Sequence, residues 1–185
     1  MNEFVDKILI NEEELDKITT RIAAEIDRDY MGSDKRLVLV CILKGSIVFM
    51  GDLMKKIKTP IEIDCMKVSS YGRGTESTGT VHIHLDLLRH DLQECDLLIV
   101  EDIIDSGITL SYLTKYLKNK GANNVKTCTL LDKPSRRKVD FVPDYCGTVI
   151  PDEFVIGYGL DYDERFRALP YVGVLKPEVY SSEGE

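Results

Sequence analysis

Residues 97–117 read LLIVEDIIDSGITLSYLTKYL, and this stretch decides the fold. The apolar run at its start is typical of a strand that is covered on both faces of a sheet. After a short polar segment, Leu110, Leu113 and Leu117 recur at the spacing of a helix that buries one face. A buried strand that leads through a short loop into an amphipathic helix indicates an α/β fold.

The polar segment between this strand and helix carries the most informative side chains. Glu101 and Asp102 place two carboxylates at the carboxyl end of the strand, where ligands bind in open α/β sheets. Carboxylates suit ribose hydroxyls or a hydrated Mg²⁺, although an acidic surface turn remains the alternative. The next residues favour a phosphate site, because helix capping alone needs only one of their polar side chains. This phosphate loop comprises Asp105, Ser106, Gly107, Ile108 and Thr109.

The rest of the chain alternates predicted strands with predicted helices. Apolar runs predict strands over residues 36–43, 61–68, 81–86, 125–131, 155–158 and 171–175. Helical spacing predicts helices that end near residue 30 and cover residues 47–56 and 110–120. We therefore expect one domain over residues 1–185, a mostly parallel twisted sheet with helices on both faces. Residues 69–80, SSYGRGTESTGT, have almost nothing to bury and predict a long functional loop.

Composition excludes several classes of protein. The chain has 185 residues, 43% of them hydrophobic, which argues against disorder. Its net charge of −8 gives no basic footprint for nucleic acid, and no apolar stretch is long enough to span a membrane. Residues 133–138 form a local basic cluster, for which composition favours a solvated surface loop. Neither GxxxxGK[ST] nor GxGxxG is present, which argues against NTPase and dinucleotide sites.

The five cysteines and the first residues indicate the compartment. No CxxC spacing is present, so buried, inert thiols are the favoured interpretation. The start, MNEFVDKILI, has no basic segment followed by a long apolar one, as a signal peptide would. We expect a cytoplasmic protein.

Several motifs resemble those of the type I phosphoribosyltransferases, and of their hypoxanthine-guanine branch in particular. VEDIIDSGIT (100–109) resembles the signature for phosphoribosyl pyrophosphate (PRPP). LKGS (43–46) resembles the pyrophosphate loop, and SSYG (69–72) resembles the start of the mobile catalytic loop. LLDK (130–133) matches the strand end with the purine-reading lysine, and DEFVIGYGLDYDERFR (152–167) is similar to the base-binding hood and its following arginine. The similarity covers roughly residues 37–174.

The resemblance implies the fold of that family and its reaction. A small hood subdomain would form from the N-terminal segment and residues of about 150–175. The reaction would be that of a pentosyltransferase of purine salvage, which moves the 5-phosphoribosyl group from PRPP to N9 of hypoxanthine or guanine. The products would be IMP or GMP and pyrophosphate, Mg²⁺ would be the cofactor, and a homodimer or homotetramer is expected.

The resemblance also implies roles for individual residues. The PRPP-binding residues would be Lys44, Gly45, Glu101, Asp102, Asp105, Ser106, Gly107, Ile108, Thr109 and Arg167. Within this set, Glu101 and Asp102 would hold the ribose hydroxyls directly or through Mg²⁺, and Asp105 would be the general base near N7 of the purine. Lys44 and Gly45 would bind pyrophosphate through their backbone, in the family across a non-proline cis peptide, and Arg167 would contact pyrophosphate as well.

Further roles concern the purine and the closing loop. Lys133 would donate to the 6-oxo group, Phe154 would stack on the ring, and Val155 would contact it through its backbone. Asp161 would lie near the 2-position of the purine and a second Mg²⁺. Ser70 and Tyr71 would close over the reacting centre. The metal ligands implied are thus Glu101, Asp102 and Asp161.

Three alternatives stay open at the level of sequence. The first is a preference for xanthine among the 6-oxopurines. The second is a PRPP-sensing regulator of this fold that binds nucleic acid, although the acidic pI of about 5.0 argues against it. The third is a receiver-like signalling domain, which also clusters acids at strand ends but on separate strands.

Overall fold

The computed structural model describes residues 2–71 and 80–181, without the side chains of residues 70, 71 and 80. A six-stranded sheet forms the centre of this part of the chain, in the order β4-β3-β2-β5-β6-β7. Five strands run parallel and β4 runs antiparallel to β3. The strands are β2 (Arg36–Leu43), β3 (Ile61–Tyr71), β4 (Thr80–Leu85), β5 (Cys95–Ile104), β6 (Asn124–Asp132) and β7 (Tyr145–Val149).

Helices cover both faces of this sheet. On one face, α1 (Glu12–Tyr30) and α2 (Ile47–Met54) pack on residues such as Leu39 and Val100. On the other face, α3 (Ile108–Asn119) packs through its three leucines on residues such as Val40 and Ile99. Alternate residues of β2 and β5 thus enter two separate cores, as the continuous apolar runs predict. The predicted α/β fold with a mostly parallel sheet is confirmed.

A second sheet has three antiparallel strands in the order β1-β9-β8. They are β1 (Val5–Ile10), β8 (Val155–Ile156) and β9 (Val172–Leu175), and a short C-terminal helix, α4 (Pro177–Ser181), follows them. Val5, Ile156 and Leu175 are buried in a small core of their own. This sheet joins the N-terminal segment to residues in the range where the hood is expected. No helix within residues 2–71 and 80–181 is long and apolar enough to cross a membrane.

Several element bounds differ from the sequence prediction. The strands β1 and β7 were not predicted, and β3 continues to Tyr71 instead of ending at residue 68. β5 continues to Ile104, so the acidic pair lies inside the strand and not after it. α3 begins at Ile108, because Gly107 precedes it in the left-handed conformation with φ of 78°.

Candidate active site

The acidic pair lies near the carboxyl end of the central strand β5. One oxygen of Asp102 accepts a hydrogen bond from the backbone N–H of Ile103 at 2.8 Å. Burial raises the pKa of Asp102 to about 6, and burial together with the charge of Asp102 raises the pKa of Glu101 well above its usual range. Glu101 Oε2 is buried and has no hydrogen-bond partner among the described residues. The pair therefore favours a bound cation or hydrogen-bond donor.

The turn after β2 passes directly over Asp102. A cis peptide joins Leu43 to Lys44, one bond before the Lys44–Gly45 peptide. A Cβ atom on Gly45 would lie 1.6 Å from Asp102 Oδ2, and a Cβ atom on Gly159 would lie 2.0 Å from the Gly45 carbonyl oxygen. Only glycine fits at Gly159, where the obstacle is backbone, whereas a side chain at Gly45 would displace the Asp102 carboxylate. The pyrophosphate-loop motif, the acidic pair and the predicted hood segment thus meet at one point.

Arg167 lies beside this meeting point. Its Nη1 donates to the carbonyl oxygen of Gly159 at 2.9 Å, and its Nη2 lies 2.8 Å from Asp161 Oδ1. Glu164 lies 3.2 Å from the same guanidinium and 2.9 Å from Lys44 Nζ, and the two cations hold its pKa below the usual range. Arg167 Nε is buried and has no partner among the described residues. Two of the predicted pyrophosphate residues are therefore bridged by a carboxylate that an anionic ligand could displace.

The phosphate loop turns from β5 into α3. The backbone of Gly107 adopts the left-handed conformation at this turn, and Ser106 Oγ accepts a hydrogen bond from the Ile108 N–H at 3.3 Å. Asp105 Oδ1 is buried without a hydrogen-bond partner among the described residues. Leu110, Leu113 and Leu117 anchor the helix in the core, so its N-terminal N–H groups are held in place next to Asp105.

Lys133 lies at the end of β6, next to the phosphate loop. Its backbone N–H donates to the carbonyl oxygen of Ile104 at 2.9 Å, and the residue is only 6% exposed. Its ammonium group makes no hydrogen bond or ion pair with any residue that the structure describes. The stem of Lys133 is buried while its charge, together with Arg136, helps to hold the pKa of Asp152 below its usual range, so its ammonium group is available to a ligand that accepts a hydrogen bond.

The sequence interpretation of the basic cluster as a solvated loop is wrong for two of its members. Lys133 is buried, and Arg137 ion-pairs with Asp132 and donates to the carbonyl oxygen of Asp105 at 2.6 Å. Arg136 is exposed, as expected. Composition could not separate these neighbours, because their directions are set by the short turn that follows β6.

The predicted purine-binding residues lie in and around the second sheet. Phe154 is partly exposed, contacts Tyr162 edge-on at 5.6 Å and stacks on Tyr180 of α4 at 5.3 Å. Val155 is buried and pairs with Val174 of β9. Phe154 does not lie in the hydrophobic core, so part of its ring is available to a ligand.

Some predicted residues lie apart or outside the described part of the chain. The backbones of Ser70 and Tyr71 end strand β3, but their side chains lie outside the described residues, as do residues 72–79. Sequence reasoning did not single out Asp132, Gly159, Glu164 or Tyr180. Gly159, Glu164 and Tyr180 contact residues of distant segments, and Asp132 pairs with Arg137 across the turn after β6, so local sequence patterns do not identify them. Residues 2–71 and 80–181 contain no group of three metal-ligating side chains.

Comparisons with known proteins match nearly the whole chain. The model of the phosphoribosyl transferase domain matches residues 5–163, which include the acidic pair, the phosphate loop and Lys133. A hypoxanthine-guanine phosphoribosyltransferase from Staphylococcus aureus (strain Mu50) is 50% identical over 182 residues, covering 98% of this chain and 100% of that protein.

Two solved structures are similar over comparable lengths. A crystal structure of a hypoxanthine phosphoribosyltransferase from Staphylococcus aureus, in a tetragonal form, has a TM-score of 0.90 and 50% identity, and covers 96% of this chain and 95% of that one. A mutant of the hypoxanthine phosphoribosyltransferase from Trypanosoma cruzi, complexed with the product IMP, has a TM-score of 0.91 and 40% identity, with 100% and 98% coverage.

Proposed function

Because this chain belongs to the phosphoribosyltransferase family, we propose that the site around Glu101, Asp105 and Lys133 is its active site. The chain is a transferase of purine salvage. It moves the 5-phosphoribosyl group from PRPP to N9 of hypoxanthine or guanine and forms IMP or GMP and pyrophosphate. The alternatives of a nucleic-acid-binding regulator and of a receiver-like domain are not favoured.

One observation carries the assignment of the site. Glu101 Oε2 and Asp105 Oδ1 are buried carboxylate oxygens, four residues apart in sequence, and neither has a partner among the described residues. Buried polar atoms are nearly always hydrogen-bonded in proteins, so such orphans indicate groups that a ligand satisfies. Ribose hydroxyls and a purine N–H are donors of the required kind.

The acidic pair fits a Mg²⁺ ion. Burial raises the pKa of both carboxyls, and the charge of Asp102 adds to the effect on Glu101, so a bound cation would relieve both costs. Mg²⁺ is commonly bound through one or two carboxylates together with substrate oxygens and water, so a third protein ligand is not needed. Glu101 and Asp102 would hold it, with Asp161 near a second ion. When bound, the metal neutralises charge on the pyrophosphate.

The chain's own residues supply the other parts of the reaction. Arg167 binds pyrophosphate and stabilises the charge that gathers on it as it leaves, and its buried Nε offers a further donor. Lys44 and Gly45 bind the same group through their backbone. Asp105 accepts the proton from N7 of the purine while N9 attacks the ribose. The remaining members of the phosphate loop, Ser106 through Thr109, bind the 5′-phosphate at the start of α3.

The purine would lie between the strand end and the second sheet. Lys133 donates to the 6-oxo group, which selects against adenine because a 6-amino group accepts no such bond. Phe154 stacks on the ring and Val155 contacts it through its backbone, so the β1-β9-β8 sheet serves as the hood. Asp161 lies near the exocyclic 2-position. Ser70 and Tyr71, whose backbones end β3 and whose side chains lie outside the described residues, would close over the centre and keep water from the reactive ribose.

We also propose a homodimer or homotetramer in the cytoplasm. The support for assembly is α2, which exposes the apolar side chains of Ile47 and Met54 on a short helix. The support for the compartment is that all five cysteines, each in a described segment, are free thiols, as is usual in a reducing environment.

A substrate panel tests the function. The protein is incubated with PRPP, Mg²⁺ and either hypoxanthine, guanine, xanthine or adenine, and pyrophosphate release is followed by a coupled assay. We expect turnover with hypoxanthine or guanine and almost none with adenine. Faster turnover of xanthine would overturn the stated specificity, and no release with any purine would overturn the function.

A further inference from the structure

Arg137 joins the phosphate loop to the end of β6. Its Nη1 donates to the carbonyl oxygen of Asp105 at 2.6 Å, and its Nη2 ion-pairs with Asp132. The two paired side chains are only 16% and 12% exposed, so water screens the ion pair weakly. The planar guanidinium fixes the directions of both bonds at once, which a lysine could not do.

The stem of Arg137 also packs on the loop itself. A Cβ atom on Gly107 would lie 3.0 Å from Arg137 Cδ, so this glycine and the arginine are in close contact. The backbone N–H of Lys138 donates to the carbonyl oxygen of Ser106 at 3.0 Å, and that of Lys133 donates to Ile104 at 2.9 Å. The turn after β6 is thus bonded to the loop along its length, and Arg137 contributes the charged side chain of that contact.

We propose that Arg137 is a positioning residue for the Asp105 carboxylate, an inference that rests on the proposed function. Asp105 Oδ1 has no partner among the described residues, so its direction depends on the main chain that Arg137 holds through the carbonyl oxygen. Asp132 directly precedes Lys133, the proposed purine reader. The guanidinium therefore fixes the distance between the group that takes the N7 proton and the group that binds the 6-oxo oxygen.

Steady-state kinetics test this role by comparing variants of Arg137 with a variant of the adjacent Arg136. Misplaced reacting groups lower kcat more than they weaken binding, so we expect kcat to fall about 10- to 100-fold with the purine KM changed less than about threefold. Arg137→Lys, which keeps the charge and one bond, should recover part of kcat. Arg136→Gln is the matched control, because within the described residues Arg136 ion-pairs with Asp152 alone, at an exposed position, and it should stay within about twofold of the wild type.

Chemical rescue separates positioning from general damage to the fold. Guanidinium ion at low millimolar concentration should raise kcat of Arg137→Ala and leave the wild type and Arg136→Ala unchanged. Amide hydrogen exchange over residues 105–109 should quicken in Arg137→Gln and not in Arg136→Gln. This exchange measurement needs no turnover, so it tests the role of Arg137 even if the proposed reaction were wrong.

Two results would overturn the proposal. One is unchanged exchange over residues 105–109 in Arg137→Gln, which would show that Arg137 does not hold the loop. The other is a kcat of Arg137→Gln with hypoxanthine that equals the kcat of an active wild type. Absence of turnover in the wild type would instead contradict the proposed function.

Discussion

The buried carboxyl of Asp102 costs the folded protein stability at neutral pH. Its pKa is raised by burial to about 6, above the ordinary value near 4, so stability falls as pH rises through that window. We expect Asp102→Asn to be more stable than the wild type at pH 7.5 by about 1–3 kcal/mol and to lose this advantage near pH 4. Urea unfolding at both pH values measures it, with the exposed Asp140→Asn as control.

The same variant should lose the response to metal. Mg²⁺ stabilises a folded protein in proportion to its affinity for that state. Millimolar Mg²⁺ should therefore raise the Tm of the wild type and raise that of Asp102→Asn much less. If Asp102→Asn were less stable than the wild type at pH 7.5 without metal, the buried carboxylate would be stabilising the fold. That result would contradict the proposed cost of burying the charge of Asp102.

Although Asp105 belongs to the phosphate loop, its carboxylate is predicted to act on the purine proton and to contribute little to the affinity for PRPP. Asp105→Asn keeps the shape of the side chain and removes its basicity, so turnover should fall by about a hundred-fold to ten-thousand-fold. PRPP binding, measured by calorimetry with Mg²⁺ present, should be nearly unchanged, since the loop binds the 5′-phosphate largely through N–H groups. Turnover equal to that of Asp140→Asn would exclude Asp105 as the base.

At this scale the sequence predicts residue types better than their partners. The acidic pair and the phosphate loop carry a local signal, because consecutive residues supply the polar groups. The contact of Gly45 with Asp102 and Gly159 carries none, since the three residues come from separate segments. Likewise, nothing local distinguishes the partly buried Arg137 from the exposed Arg136, because the fold determines which of the two side chains turns inward.

Among the elements, α4 contacts the proposed purine site through Tyr180. Tyr180 stacks on Phe154 with an interplanar angle of 22°, and such ring pairs contribute about 0.5–1.5 kcal/mol. Tyr180→Leu should therefore raise the KM for hypoxanthine about two- to tenfold and leave the KM for PRPP unchanged. Steady-state kinetics with each substrate varied in turn measure both.

A second stacked tyrosine provides the control for this prediction. Tyr112 of α3 is as exposed as Tyr180 and stacks on Tyr116 with an interplanar angle of 12°. Tyr112→Leu should leave both KM values at the wild-type level. If the two variants raised the KM for hypoxanthine equally, the stack on Phe154 would have no particular part in purine binding.

The elements that sequence patterns missed are those stabilised by distant partners. β1, VDKILI, buries only its first and last residues, and pairs with β9 at the other end of the chain. β7 contains Gly147, where a Cβ atom would lie 2.2 Å from the Leu130 carbonyl oxygen, so close strand packing and not apolar periodicity selects its sequence. By contrast, β2 matches its predicted bounds, because a run of buried residues identifies a central strand without reference to its neighbours.

For the whole molecule, the sheet order determines which segments meet at the site. β5 is central, with β2 on one side and β6 on the other, so the carboxyl ends of three adjacent strands present Gly45, the acidic pair and Lys133 at one edge. Alternating strands and helices predict a parallel sheet, but the order of its strands follows from long-range packing. The convergence of Gly45, the acidic pair and Lys133 on one site is therefore predicted by the resemblance of their motifs to those of the family, and hydrophobic periodicity does not predict it.

The exposed apolar side chains of α2 allow a test of the proposed homodimer or homotetramer. Met54 is an exposed apolar side chain at the end of a largely apolar helix, and a charge there would be costly in an interface and harmless in solvent. We expect the wild type to elute as a dimer or tetramer and Met54→Glu to shift toward the monomer in size-exclusion chromatography with light scattering. Met31→Glu, at an exposed methionine after α1, should keep the wild-type mass. An unchanged mass for Met54→Glu would exclude this end of α2 from the interface, and a monomeric wild type would refute the proposed assembly.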